Sequence, residues 1–371
     1  MGPRAGTSAA RVISRLARWQ WIVLAVTFGI LCAAVATYLA YSRDLRALRE
    51  RKLAASQLLQ TLHGPLEFTE SGNGPAVLVL HGAGGGYDQG SSIAQAFVGE
   101  GFRSIAPSRF GYLRSALPAD ASTAAQADAL AELLNALGIE RVAIVAMSGG
   151  VPPALQFALR HPSRTSALVL LSSAPYTPLT AAAQQLPMPA WMYQALFSSD
   201  FPYWALAKLA RARLETIFDV KPALRAALTA QEQAFVADMV ESFQPVTQRT
   251  DGLRNEGVAI DPRARYPLDR LMMPTLVIHA RDDGINPFTF GEYTARHIPG
   301  AEFMPLTSGG HLLLGHHAEV QARIWHVPAR NRILGIVVEG RFAIDPAVME
   351  TVRSGYGLAE ENRPSGAHHP R

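Results

Sequence analysis

Cysteine occurs once in the 371 residues, as Cys32. An intrachain disulfide is therefore excluded, and the redox compartment stays open. No group of Cys and His has zinc spacing, so no metal is expected. Neither G-x-x-x-x-G-K-[ST] nor G-x-G-x-x-G occurs, which leaves nucleotide chemistry without support and calls for no cofactor. Charge is scarce at 17% of residues, and the net charge is only +4. Of the 34 basic residues, three are lysine (Lys52, Lys208 and Lys221). A small positive balance spread along a chain gives no argument for a nucleic-acid partner. Apolar side chains are abundant at 49%, which suits a membrane segment or a large core. The length allows one large domain or two small ones. Nothing in the sequence fixes an oligomeric state.

The longest uncharged run is WQWIVLAVTFGILCAAVATYLAY, residues 19–41. As a helix it would measure about 35 Å, enough for a hydrocarbon core of about 30 Å. Trp19, Trp21, Tyr38 and Tyr41 stand at its ends, where interfacial aromatics belong. Residues 1–18 form a basic tail with Arg4, Arg11, Arg15 and Arg18. Arg43, Arg46, Arg49, Arg51 and Lys52 follow the run. Basic residues on both sides suit anionic headgroups but give no orientation. The expectation is a single-pass membrane protein whose partner is the lipid bilayer. Ala34-Val35-Ala36 also resembles a signal-cleavage site, which would make the chain secreted or periplasmic. The continuation of the apolar run through Tyr41 favours the anchor. Ile30-Leu31-Cys32 does not resemble a lipidation site, because bulky Leu31 precedes the cysteine. Residues 42–64 place Leu45, Leu48, Leu53, Leu59 and Leu62 near helical spacing and predict a juxtamembrane connector helix.

From residue 65 short apolar runs alternate with helical periods. Strands are predicted at 76–80, 102–106, 142–147, 167–171, 275–279 and 302–305. Helices are predicted at 91–100, 123–137, from 149 to about 160, at 288–297 and at 318–327. This rhythm predicts an α/β fold, a mostly parallel twisted sheet with helices on both faces, built from residues 65–174 and 269–328. Residues 175–268 contain several helical periods and no strand. An all-helical insert between two parallel strands predicts a cap over the C-terminal edge of the sheet, where ligands bind. Residues 329–371 read as an extension with a polar, partly disordered tail.

Three motifs carry chemistry. In V-A-I-V-A-M-S-G-G the apolar strand ends at Ser148, and a helix follows. Such a turn presents the serine hydroxyl above the sheet and needs small neighbours. Gly149 and Gly150 meet that need, and Ala146 stands where the familiar G-x-S-x-G pattern has its first glycine. A serine that only caps the helix would read the same way. In His81-Gly82-Ala83-Gly84-Gly85-Gly86, glycines after a strand can turn backbone N–H groups toward a developing oxyanion, each worth about 3 kcal/mol. A flexible turn is the plainer alternative. In H-A-R-D-D-G-I-N-P and T-S-G-G-H-L-L-L, Asp283 and His311 each follow a strand, so both fall on one edge of a parallel sheet. A serine nucleophile needs a base, and the base needs an anion to fix its tautomer. His316 and His317 read as solvated surface residues.

Taken jointly, G-P-A-V-L-V-L-H-G, the serine turn, H-A-R-D-D-G-I-N-P and S-G-G-H resemble the α/β-hydrolase superfamily over residues 65–325. The chain order Ser148, Asp283, His311 is the one that fold demands. The resemblance implies Ser148, His311 and Asp283 as catalytic residues, with Asp283 favoured over Asp282. It implies the backbone N–H groups of Ala83 and Gly149 as the oxyanion hole. Ser108 stands where many members have Asp, a loop-supporting position. The expected function is a membrane-anchored serine hydrolase acting on a small hydrophobic ester or related carbonyl substrate. Trp191, Met192, Phe197 and Trp204 of the insert are expected substrate-binding residues; packing between cap and core would use the same side chains. The alternatives are C–C bond hydrolysis or cofactor-free peroxidation by the same residues, and a non-catalytic membrane scaffold on the same fold.

Overall fold

The computed structural model describes residues 7–174, 195–259 and 266–325. It opens with one uninterrupted helix, α1 (Thr7–Ala54). No proline occurs between Pro3 and Pro65 to break it. Its stretch from Trp19 is long and apolar enough to cross a membrane, with a mean hydropathy of 2.4 and none of that window buried. By length and composition alone it could serve as a membrane span or as a signal sequence. The last turns of α1 dock onto the rest of the molecule through buried Leu45 and Leu48.

The connector predicted as helix over 42–64 is corrected in its second half. Helix stops at Ala54, and β1 (Gln57–Thr61) and β2 (Gly64–Ser71) form an antiparallel hairpin. Gly64 closes that hairpin at φ +97°, a value that does not continue a helix. Leu59 therefore packs from a strand against the core, and Leu62 lies exposed in the turn. The sheet begins at residue 57 rather than 65.

Six parallel strands follow: β3 (Ala76–Leu80), β4 (Arg103–Pro107), β5 (Val142–Met147), β6 (Thr165–Leu171), β7 (Thr275–Ala280) and β8 (Glu302–Leu306). The spatial order is β1-β2-β4-β3-β5-β6-β7-β8, with β1 and β2 antiparallel at one edge. The strands are continuous apolar runs because both faces are covered; every residue of β5 is buried. Alternate residues serve different layers. Val77, Val79, Ala143 and Val145 pack on one face, and Leu78, Leu80, Ile144 and Ala146 on the other. Helices α2 (Tyr87–Ile93, extended by a π-turn Ala94–Val98), α3 (Thr123–Ala136) and α4 (Val151–Arg160) connect the early strands. The helix predicted at 91–100 thus starts a turn earlier and stops at Gly99, φ +75°.

Between β6 and β7 the described residues contain helices and no strand: α5 (Asp200–Leu209), α6 (Arg211–Ile217), α7 (Pro222–Arg225), α8 (Ala230–Ser242) and α9 (Thr250–Ala259). A capping box starts α8, with Thr229 and Glu232 satisfying each other's backbone N–H. After β7 comes α10 (Phe288–His297), and after β8 α11 (His317–Trp325). The extension anticipated over 329–371 lies outside the described residues.

The insert also receives α1. Tyr41 packs edge-on to Phe201 and Trp204 at 5.3 and 5.5 Å. Arg49 pairs with Asp200 at 3.0 Å, and Lys208 with Asp44 at 2.9 Å. Asp88 of α2 accepts from Lys52 of α1 and, at 2.7 Å, from Arg249 ahead of α9.

Candidate active site

At the end of β5, Ser148 takes φ +52°. This left-handed conformation costs a non-glycine residue about 1–3 kcal/mol, and the surrounding structure must hold it. Pro153 and Pro152 then sit in the first turn of α4, where a missing N–H leaves no gap. Ala146 is explained by the packing. It is fully buried in a flat strand register, opposite Leu80 on one side and Leu170 on the other. The crowded position is 150, where a Cβ would lie 2.5 Å from Leu80 O and 2.8 Å from His81 O. The turn needs its glycine there.

The loop after β3 comes up against this turn. A Cβ on Gly149 would lie 3.1 Å from Ala83 N, so the backbones of the two residues nominated as oxyanion donors meet. The loop is held from behind. His81 is fully buried; its Nε2 accepts from Arg109 N at 2.9 Å, so the proton resides on Nδ1 and is donated to Gly82 O at 2.7 Å. Burial, reinforced by the Arg109 guanidinium, holds this imidazole well below the usual histidine range. Gln89 Oε1 accepts from Gly82 N at 2.8 Å. Ser108 accepts from Tyr87 N at 2.9 Å and donates to Glu67.

Asp283 and His311 meet on the same edge, with His311 Nδ1 3.0 Å from Asp283 Oδ2. Asp283 has a fully buried side chain. Burial alone would favour its neutral form; the imidazoles of His311 and His279 and the backbone N–H of Asn286 outweigh it and hold the carboxyl well below the usual range. Asp282 faces elsewhere: it pairs with Lys221 at 2.8 Å and accepts from Gly310 N at 2.9 Å.

Ser148 and His311 line one cavity of about 250 Å³. They are not hydrogen-bonded to each other among the described residues. The side-chain partner of Ser148 Oγ is Asn286 Nδ2 at 3.3 Å. The insert contributes Phe197, Ile217, Phe218, Met239, Phe243 and Leu253 to the walls. Of the four expected substrate-binding residues, Phe197 is on this cavity. Trp191 and Met192 lie outside the described residues. Trp204 is a correction: its ring packs on Tyr41 and its Nε1 donates to Asp44 at 3.3 Å, so it joins the insert to α1. His317 is another. It is buried between Phe97 and Phe235, with ring centroids 4.6 and 4.9 Å away, and its Nε2 lies 2.9 Å from Leu312 O. His316 is partly buried and pairs with Glu319 at 3.0 Å.

Five residues of the site escaped the sequence reading. Asn286 touches the serine; its place three residues after Asp283 was the available signal. Gln89 lines the cavity. Arg109 and Glu256 form an ion pair beside the serine turn, with Glu256 Oε2 3.1 Å from where a Gly149 Cβ would stand. Asp219, in the insert at φ +62°, accepts from Gly284 N at 2.8 Å and His311 N at 3.0 Å. It clamps both loops at once, and no local pattern marks it.

Residues 75–318 match the alpha/beta hydrolase fold family. The chain is 27% identical over 271 residues to the uncharacterized hydrolase YcgS of Bacillus subtilis, covering 69% of this chain and 91% of that protein. It is 30% identical over 290 residues to the 2-hydroxymuconate semialdehyde hydrolase of Pseudomonas putida, covering 74% and 92%. Among solved structures, an alpha/beta hydrolase fold protein from Nakamurella multipartita superposes with a TM-score of 0.63 at 26% identity, covering 73% of this chain and 98% of that one. With residues 75–318, about two thirds of its length, matched by that family, this chain belongs to the alpha/beta hydrolase fold family.

Proposed function

We propose that the chain is a serine hydrolase of small, neutral, hydrophobic esters, tethered to a bilayer by α1 and capped by the helical insert. The observation that supports this reading is an apolar cavity lined by Ser148 and His311, with Asp283 behind the histidine at 3.0 Å. His311 takes the Ser148 proton as the hydroxyl oxygen attacks the carbonyl carbon. The carbonyl electron pair moves onto oxygen, facing the backbone N–H groups of Ala83 and Gly149. Asp283, ionised, fixes the His311 tautomer. The protonated histidine then gives its proton to the leaving oxygen as its bond to the carbonyl carbon breaks, and water hydrolyses the acyl-enzyme, releasing the acid and restoring the serine hydroxyl.

The lining favours an ester over the second reading, C–C bond hydrolysis. A muconate semialdehyde carries a carboxylate, and a cavity for it would be expected to offer a cation. No Lys or Arg is among the residues lining this cavity, and its histidine, His311, is held by Asp283. Arg109, beside it, is neutralised by Glu256. The bilayer reading rests on the exposed, uncharged stretch of α1.

The test is labelling of the full chain with a fluorophosphonate probe, comparing wild type with Ser148→Ala. Labelling of wild type lost in the variant supports the assignment. Persistence in the variant removes Ser148 as nucleophile, and a folded wild type that never labels points to a scaffold.

A further inference from the structure

We propose that Asn286 is a further catalytic residue, whose side-chain amide donates to the nucleophile oxygen and stabilises the charge that develops there. The inference rests on Ser148 being the nucleophile. It begins with the local sequence D-D-G-I-N-P. Asp283 Oδ1 accepts from the backbone N–H of Ile285 at 2.8 Å and of Asn286 at 2.9 Å. This local turn closes the loop tightly, and Pro287 holds Asn286 out of helical conformation. The Asn286 side chain is thereby driven inward, where the residue is only 6% exposed.

The orientation of that amide follows from its partners. Nδ2 lies 2.8 Å from the backbone carbonyl of Ser172, which can only accept. The nitrogen must face Ser172, so its second hydrogen faces Ser148 Oγ at 3.3 Å. The serine therefore receives a donor. As the Ser148 O–H bond breaks and the proton passes to His311, the oxygen gains electron density before its lone pair reaches the carbonyl carbon. An N–H directed at that oxygen strengthens as its charge grows, which is the condition for lowering the barrier rather than merely binding. The same amide ties the nucleophile to the acid loop and, through Ser172, to His311: Ser172 Oγ donates to His311 O at 2.8 Å.

A purely structural role for Asn286 predicts something different, and two variants separate the two. Asn286→Ala removes the donor; Asn286→Asp keeps the shape and places an acceptor beside the oxygen. The readouts are the second-order rate of fluorophosphonate labelling and the kcat, KM and pH profile for a p-nitrophenyl ester, with thermal melting as the folding check. We expect about 10- to 100-fold slower labelling and lower kcat in Asn286→Ala, KM within about two-fold, and an unmoved acid limb. Asn286→Asp should be slower still despite being isosteric. Equal labelling rates in wild type and Asn286→Ala, or Asn286→Asp faster than Asn286→Ala, would overturn the proposal and leave Ser148 as nucleophile intact. A wild type that does not label at all refutes the underlying assignment instead. If neither variant folds, the wild-type chain decides: phosphonylation of Ser148 must shift the Asn286 side-chain amide proton resonances, and resonances that stay put overturn the proposal.

Discussion

The two sides of the cavity are built by opposite means. Its floor is the edge of the sheet: strained and hydrogen-bonded backbone, with Ser148 at φ +52° and Asp283 accepting bonds from two backbone amides and flanked by two imidazoles. Its roof is apolar side chains on short helices, Phe197, Phe218, Met239 and Phe243 among them. The floor fixes atoms by directional bonds, which a substitution breaks rather than loosens. The roof fills volume, and volume can be refilled. Changes in the floor should therefore strike turnover, and changes in the roof should strike the choice of substrate.

Replacing the serine, as in the labelling test, is the largest expected break. Next comes the acid. Asp283→Asn should lower kcat by about 10³–10⁴-fold, whereas Asp282→Asn, whose partners are Lys221 and Gly310, should cost at most about ten-fold. Steady-state kinetics on a p-nitrophenyl ester decides, and the reverse ranking would transfer the role. In the roof, Phe197→Ala should leave kcat for the best substrate within a few-fold and shift the preferred acyl chain to a longer one by about ten-fold in kcat/KM. Trp204→Ala should leave that preference unchanged, because its ring faces α1. A chain-length series on both variants checks the contrast.

The smallest effect is on stability. Burial keeps His81 and His317 neutral, with folded pKa values below the usual range. Below about pH 6.5 the unfolded chain binds protons that the folded chain refuses. Stability should be flat above that pH and decline below it, by up to about 1.4 kcal/mol per pH unit for each histidine. The depressed Asp283 has the same sign, in a more acidic window. Its contribution is present above about pH 4, the unfolded value, and is lost only as pH falls through its lower folded pKa. Denaturant melts at pH 7.5 and 5.5 would show the decline, and His81→Asn should reduce it to the part that His317 contributes.

Much of the floor was legible. Buried parallel strands announce themselves as apolar runs, and the loops after them must share an edge; the choice of Ser148, Asp283 and His311 among the loop residues, and of Asp283 over Asp282, came from the resemblance to the α/β-hydrolase superfamily. The roof was legible only as helices without strands. Which face of a helix meets the cavity depends on packing that no periodicity records, hence Trp204 turned to α1 and Asp219 clamping the histidine loop. The hairpin at 57–71 was missed for a related reason: Leu53, Leu59 and Leu62 satisfy helical spacing, and only Gly64 hints that the chain turns back. His317 looked like surface because a histidine pair in a loop usually is; two phenylalanines distant in sequence bury it.

Asp88 sets where the molecule can be divided. Its carboxylate joins Lys52 at the foot of α1 to the wholly buried Arg249 at the edge of the insert. A truncation ending at residue 42 removes the exposed apolar stretch and leaves this three-way junction whole. One ending at residue 55, although it follows the end of the helix more neatly, strips Lys52 away together with Leu45 and Leu48. The boundary of the packed body therefore lies inside a helix, before the turns that carry Leu45, Leu48 and Lys52.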